Sequence, residues 1–179
     1  LLCFVTSLDI AASIDLGWDA KNYGIFKTLN FYQSNDLKNL INVNNTTIYP
    51  HLGQLIWALF WKFPFNYNEY FGRISFLIIY LISIFSFYAG LKIGQLSKLI
   101  FIFLTILITY EYSLFNGLSE ILIFSLILIA SKFSYLLLSE KKINNQTKLI
   151  LYILLSTNAV CWIKNEGLIL MLIFNFSLF

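Results

Sequence analysis

Long runs of apolar residues are the feature that most constrains the fold of this chain. The run Ile74–Leu91 contains no charged residue, and it approaches the roughly 20 residues that an α-helix needs to cross a bilayer. Two further runs contain one charged residue each: Leu99–Leu118 contains Glu111, and Ile121–Ser139 contains Lys132. Two shorter runs follow, Leu149–Ile163 and Leu168–Phe179. This pattern predicts an all-α, polytopic transmembrane helical bundle.

The composition supports a chain that faces lipid. Of its 179 residues, 59% are hydrophobic and 12% are charged, about half the charged share of an ordinary soluble domain. A soluble chain of this size needs more polar residues to cover its surface. The net charge of +3 is small and spread along the chain, so no basic stripe indicates nucleic acid as a partner.

The runs divide the chain into three regions. We expect residues 1–8 to be the end of a truncated first transmembrane helix, and residues 69–179 to form a bundle of about four spans, the last of them truncated. Residues 9–68 are too polar to span and predict a surface loop with juxtamembrane helices between the first and second spans. In this loop we expect helices over Asp15–Phe31 and Leu52–Phe63, the second with its tryptophans in the interfacial belt.

Lysines in two links indicate the orientation of the bundle. Lys92–Lys98 and Glu140–Lys148 carry lysines with little acid, so the positive-inside rule places them on the cytoplasmic side. The links Asn116–Glu120 and Lys164–Gly167 then lie on the opposite face together with the surface loop. Lys132 is near enough to one end of its run to snorkel. The acidic residues therefore gather on the non-cytoplasmic side.

Three candidate site residues lie early in the surface loop. In a helix, the spacing of four places Asp19, Tyr23 and Lys27 along one side of about two turns. An acid and a base would then line one surface. The alternative is an interfacial amphipathic helix in which Asp19 caps the start and Lys27 snorkels to the headgroups.

The segment Tyr49-Pro50-His51-Leu52 predicts a helix start with Pro50 at the first helical position. His51 is the only histidine, and Cys3 and Cys161 lie far apart in apolar runs, where cysteines are usually small buried hydrophobes. A metal site built on histidine is therefore not expected.

Charged residues inside or at the edge of a membrane bundle are functional candidates. Glu120 opens a helix, where the dipole favours a carboxylate and capping alone explains it. Glu111 lies deeper, with Arg73 or Lys164 as its expected partner. Lys164 and Glu166 form a charged break between two runs, for which a plain loop is the alternative. Because they are two residues apart, they do not face each other on a helix, and each needs another partner.

Six short segments occur in a definite order along nearly the whole chain: Trp18-Asp19-Ala20, Lys27, Tyr49-Pro50-His51-Leu52, Gly72-Arg73, Ser119-Glu120-Ile121 and Ile163-Lys164-Asn165-Glu166-Gly167-Leu168. In this order they resemble the GT-C class of membrane glycosyltransferases, which includes the protein mannosyltransferases and the aminoarabinose transferases. The chain departs from that pattern at four positions. Where the pattern usually has Trp, Ala, a second Pro and Asp, this chain has Gly24, Thr28, His51 and Glu120, respectively.

The resemblance implies transfer of a sugar from a polyprenyl phosphate carrier to an acceptor, with inversion, on the non-cytoplasmic face of a bacterial inner membrane. Asp19 would be the general base, Glu120 a second acid near acceptor or carrier, and Lys27 the cation on the carrier phosphate. The other residues near carrier or substrate would be Tyr23, Tyr49, His51, Arg73, Glu111, Lys164 and Glu166. No cofactor or metal is implied, and the sugar and the acceptor stay open.

Two other functions remain for such a chain. A transporter or flippase for lipid-linked intermediates also needs membrane-embedded charge, and it often shows internal repeats, which are not visible here. A non-catalytic membrane scaffold would keep the fold without the chemistry, and the departures from the family pattern leave this alternative open. Only the enzyme forms a new glycosidic bond.

Overall fold

The computed structural model describes residues 16–33, 50–63, 69–110 and 116–178. In these ranges every regular element is helical, which confirms the all-α prediction. A π-helical turn, Ala20–Gly24, leads into helix α1. The α-helices are α1 (Ile25–Tyr32), α2 (Leu52–Lys62), α3 (Glu69–Gly90), α4 (Gln95–Tyr110), α5 (Glu120–Ser139), α6 (Ile143–Cys161) and α7 (Glu166–Phe176).

Two helices are long and apolar enough to cross a membrane, α3 over Phe71–Gly90 and α5 over its whole length. The described parts of α4 and α7 are apolar but shorter. Length and composition alone do not separate a membrane span from the core helix of a soluble protein. Within the protein, half of the apolar window in α3 is buried, against 28% of the window in α5. Most of the other α5 residues are partly exposed.

The helix bounds differ from the predicted ones at several ends. Helix α4 begins at Gln95, before the predicted Leu99, and Asn116–Leu118 is not helical, so the predicted C-terminal end of that span is wrong. Helix α6 begins at Ile143, inside the predicted polar link, because Glu140 accepts hydrogen bonds from the backbone N–H groups of Lys141 and Lys142 and orders the turn. The predicted end of a first transmembrane helix, residues 1–8, lies outside the described residues. So do the parts of the predicted surface loop at residues 9–15, 34–49 and 64–68.

The core lies where α2, α3 and α5 meet. Trp57 and Trp61 are 1% and 2% exposed, and the Trp57 ring packs edge-on against Trp61 and Phe76. The predicted interfacial position of both tryptophans is therefore wrong. The reason is Gly72 on α3, where a Cβ atom would overlap the Trp57 indole. Without a side chain there, the two helices approach closely enough to bury the rings.

Hydroxyl groups and one ammonium group join neighbouring apolar helices. Tyr80 and Tyr88 on α3 hydrogen-bond to Thr109 and Thr105 on α4. The ammonium group of Lys132 donates to the Ser86 hydroxyl at 2.7 Å, so this lysine pairs with α3. Such bonds supply polar contacts between surfaces that are otherwise apolar.

Two backbone hydrogen bonds draw the polar segments to one end of the helices. The Gly17 N–H donates to the Asn116 carbonyl at 2.7 Å, and the Leu52 N–H donates to the Trp162 carbonyl at 2.8 Å. The first joins the segment before the π-helical turn to the loop before α5. The second joins the start of α2 to the end of α6. These four segments therefore share one end of the fold.

Substituting Gly167→Ala is expected to lower the melting temperature, because the new Cβ atom would lie too close to the Val160 backbone carbonyl where α6 approaches α7. Overpacking of this kind costs about 1–3 kcal/mol. Thermal unfolding of the purified protein measures it. Gly94→Ala is the matched control, since the nearest atom there, Ser97 Oγ, is 3.9 Å away. Equal melting temperatures for both variants would contradict the close approach of α6 and α7.

Candidate functional site

A single ammonium group contacts two carboxylates at the polar end of the helices. Lys164 Nζ lies 2.5 Å from Glu120 Oε1 and 3.5 Å from Asp19 Oδ2. The Lys164 side chain is 20% exposed, against 48% for Asp19 and 45% for Glu120. Both acid side chains are thus about half exposed, although Glu120 Oε2 itself is buried without a hydrogen-bond partner among the described residues.

Local structure sets the position of each of these three groups. Glu120 is the first residue of α5, as the sequence predicts. The helix dipole stabilises its negative charge there. Lys164 lies in the turn between α6 and α7, next to Ile163, which is buried. Asp19 immediately precedes the π-helical turn. The sequence predicts that Lys164 needs a partner other than its neighbour Glu166. In the structure its partners are the two acids Asp19 and Glu120.

Gly117 fixes the loop that leads to Glu120. Its φ is +71°, a left-handed conformation that residues with a side chain rarely adopt. A Cβ atom at this position would also press against the side chains of Leu16 and Trp57. The loop thus fits between the core and the segment that carries Asp19.

A small cavity of about 40 Å³ adjoins the ion pairs, with room for a few water molecules. It is smaller than a typical ligand pocket, about 300 Å³ or more. It marks where charged groups converge rather than the outline of a whole ligand. Its lining comes from four segments: Asp19, Ala20, Tyr23, Gly24, Lys27, Pro50, Gln54, Gly117, Leu118, Ser119, Ile163 and Lys164.

The predicted common surface of Asp19, Tyr23 and Lys27 is present, since all three line the cavity. The backbone between them differs from the regular helix that the sequence predicts. The Ile25 N–H bonds to the Ala20 carbonyl, five residues back, which makes Ala20–Gly24 a π-helical turn. Turns of this kind are rare and are frequent at functional sites.

Lys27 is the second cation of the site. Its side chain is almost fully buried, and burial lowers its pKa from 10.5 to about 8. The pKa of Lys164 moves the other way. Burial lowers it, but the hydrogen bond and charge of Glu120, together with Asp19, outweigh burial and raise the pKa above 10.5. At neutral pH both lysines are therefore charged, and only Lys27 titrates near the physiological range.

His51 is not among the residues that line the cavity. It precedes Leu52, the first residue of α2, so the predicted place of Pro50 at the first helical position is wrong. The His51 ring packs edge-on against Phe31, and its Nδ1 is buried without a hydrogen-bond partner. Burial and then the charge of Lys27 lower its pKa, so the ring is neutral at pH 7 and is not a cation for an anionic ligand.

Gln54 is a cavity residue that the sequence analysis missed. Its Oε1 is buried and has no hydrogen-bond partner, and its amide lies beside Gly24. The signal was available in the spacing, because Gln54 stands three residues before Trp57 and seven before Trp61, on the same face of α2. Gln54 is thus a partly exposed polar residue on the face of α2 that continues into the core.

Other predicted site residues lie elsewhere. Arg73 is buried in α3 and Glu166 is exposed in the first turn of α7, and neither lines the cavity. Tyr49 and Glu111 lie outside the described residues, so the predicted pairing of Glu111 is not tested. In the part of the chain that the structure describes, no group of three or more His, Cys, Asp or Glu residues could hold a metal ion.

Comparison of the chain with protein-family models, with curated proteins and with solved structures found no match.

Substituting Lys164→Met is expected to lower the free energy of unfolding by about 1 kcal/mol, the scale of a partly exposed ion pair. Adding Glu120→Gln should recover part of that loss, because it relieves the repulsion between the two carboxylates. A double-mutant cycle on chemical unfolding measures this coupling. Lys92→Met, at an exposed lysine in the link after α3, is the control. Strictly additive effects of the Lys164 and Glu120 substitutions would contradict the ion pair.

Proposed function

We propose that this protein is a polytopic membrane glycosyltransferase of GT-C type. It moves a sugar from a polyprenyl phosphate carrier to an acceptor on the non-cytoplasmic face of a bacterial inner membrane. The observation that carries the proposal is that Asp19, Lys27 and Lys164 line one cavity at one end of apolar helices, with Glu120 paired to Lys164 beside it. The family pattern in the sequence includes the same residues.

The outward apolar surface supports a membrane location. Large side chains on α4 and α7 face outward, with Leu96 73% and Phe176 78% exposed, and similar side chains continue along each helix. Monomeric soluble proteins rarely expose large contiguous apolar patches. Lipid chains would cover this apolar surface and keep it out of contact with water.

The arrangement of charge along α5 supports the non-cytoplasmic side. Glu120 begins this helix, and the lysine-bearing link that starts at Glu140 follows its end. A 20-residue helix is about 30 Å long, so the acids and the lysines of the link lie on opposite sides of a bilayer that α5 crosses. By the positive-inside rule the lysines face the cytoplasm. The cavity then faces outward.

The proposed reaction assigns one task to each charged group. Asp19 accepts the proton of the acceptor hydroxyl as its oxygen bonds to the anomeric carbon of the sugar. The bond from that carbon to the carrier phosphate breaks, and Lys27 offsets the charge on the departing polyprenyl phosphate. Lys164 positions Asp19 and Glu120 through the contacts of its ammonium group. Attack opposite the leaving group inverts the anomeric configuration.

Substituting Asp19→Asn is expected to lower the transfer rate by about a hundredfold or more, because an amide cannot accept the proton. The assay follows labelled sugar from polyprenyl phosphosugars into acceptor lipids or glycans in proteoliposomes. Glu140→Gln, at the far end of α5, is the control for the loss of one acid. Full transfer by the Asp19 variant would remove this residue from the base role. Passage of the carrier across the bilayer without any new glycosidic bond would indicate a flippase.

The affinity for the carrier is expected to fall as the pH rises through about 8, because Lys27 loses its charge over that range. Below pH 8 the ammonium form is present and holds the phosphate. Binding of polyprenyl phosphate measured from pH 6 to about pH 10 tests this. Lys27→Arg should keep its affinity through pH 9, since a guanidinium group stays protonated, and Lys27→Met should bind weakly throughout. Identical pH profiles for wild type and Lys27→Met would exclude Lys27 from carrier binding.

A further inference from the structure

We infer that the Gln54 side chain binds hydroxyl groups of the carrier-linked sugar and so selects which lipid-linked sugars this protein accepts. This inference rests on the proposed function. It concerns a residue that the family pattern in this sequence does not include. Gln54 lines the same cavity as Asp19, Lys27 and Lys164.

The first observation is the unused hydrogen-bonding capacity of the Gln54 amide. Its Oε1 is buried and no described group donates to it. Buried polar atoms in folded proteins are nearly always hydrogen-bonded, and an exception calls for an explanation. A ligand hydroxyl in the cavity would supply the missing donor. Because an amide carries both an acceptor and donors, the conclusion holds for either orientation of the group.

The second observation is the place of Gln54 on its helix. Trp57 and Trp61 follow it on the same face of α2, and both are core residues. A leucine or methionine at position 54 would continue that apolar face without leaving a polar atom unpaired. Core packing does not require an amide here, and the partly exposed side chain is placed to reach a polar ligand in the cavity.

The third observation is the space beside the amide. Gly24 faces Gln54, and a Cβ atom built on Gly24 would lie 3.7 Å from Gln54 Nε2. Any side chain larger than a methyl group would crowd the amide. The glycine thus leaves room for the Gln54 side chain at the cavity wall, one helical turn before Lys27.

The combination of groups defines the ligand chemistry. A cation on Lys27 suits a phosphate, and an amide that can both donate and accept suits the hydroxyls of a sugar. Both groups lie on the wall formed by the π-helical turn, α1 and α2. A glycosyl phosphate carries an anion and several hydroxyls on adjoining groups. Gln54 would then contact the sugar while Lys27 contacts the phosphate.

The test compares two kinds of probe bound to the purified protein in lipid nanodiscs. One is polyprenyl phosphate without a sugar, and the other is a panel of polyprenyl phosphates carrying glucose, mannose, galactose or arabinose. Gln54→Leu is expected to weaken binding of the best sugar carrier about threefold to tenfold, the effect of one lost hydrogen bond. Binding of bare polyprenyl phosphate should not change. Gln54→Met, which keeps the length of the side chain, should behave in the same way.

The controls separate recognition from folding. Gln95→Leu, at an exposed glutamine that opens α4, should leave both kinds of binding unchanged. The melting temperatures of the Gln54 variants should equal or exceed that of the wild type, because a buried amide oxygen without a partner has been removed. A lowered melting temperature with equal loss of both probes would indicate a structural role and overturn the inference.

The remaining outcomes distinguish this inference from the proposed function. If the wild type transfers sugar and the Gln54 variants bind the sugar carriers as tightly as it does, the assignment of Gln54 is wrong and the glycosyltransferase stands. If the wild type binds none of the carriers in the panel, both proposals are wrong.

Discussion

The contact of one ammonium group with two carboxylates links the segments that form the polar end of this protein. Lys164, Glu120 and Asp19 belong to three separate segments of the chain. Two acids held close together without a cation would repel each other. Lys164 keeps its charge because the acids raise its pKa more than burial lowers it. The turn after α6, the start of α5 and the segment before the π-helical turn are thus held around one cavity.

Apolar packing beneath the cavity sets where these segments lie before their charges meet. The Trp57 ring rests against α3 at Gly72 and against the loop at Gly117, and both positions require a glycine. Gln54, on the same face of α2, extends this packed face to the cavity wall. One short helix therefore joins the hydrophobic core to the proposed sugar site. Ion pairs as exposed as those of Lys164 are too weak to fix such an arrangement alone.

Sequence spacing predicted part of the site and missed part of it. The spacing of four correctly placed Asp19, Tyr23 and Lys27 on one surface, although the π-helical turn between them was not predicted. The start of α5 at Glu120 was also correct, because an acid after a glycine break is a local signal. Gln54 was missed, since its significance depends on the tryptophans that follow it, which were assigned to a membrane interface and are in the core.

The sequence by itself determined the helical class, many of the helix bounds and the scarcity of acids in the two lysine-bearing links. Each of these follows from local properties, because apolar runs with few charges satisfy their backbone hydrogen bonds within a helix. Only the tertiary structure decided that Lys164 pairs with Asp19 and Glu120, that Lys132 pairs with Ser86, and that Gln54 reaches the cavity. Such pairings depend on how closely the helices approach, and that distance is set by side-chain packing between segments far apart in the chain.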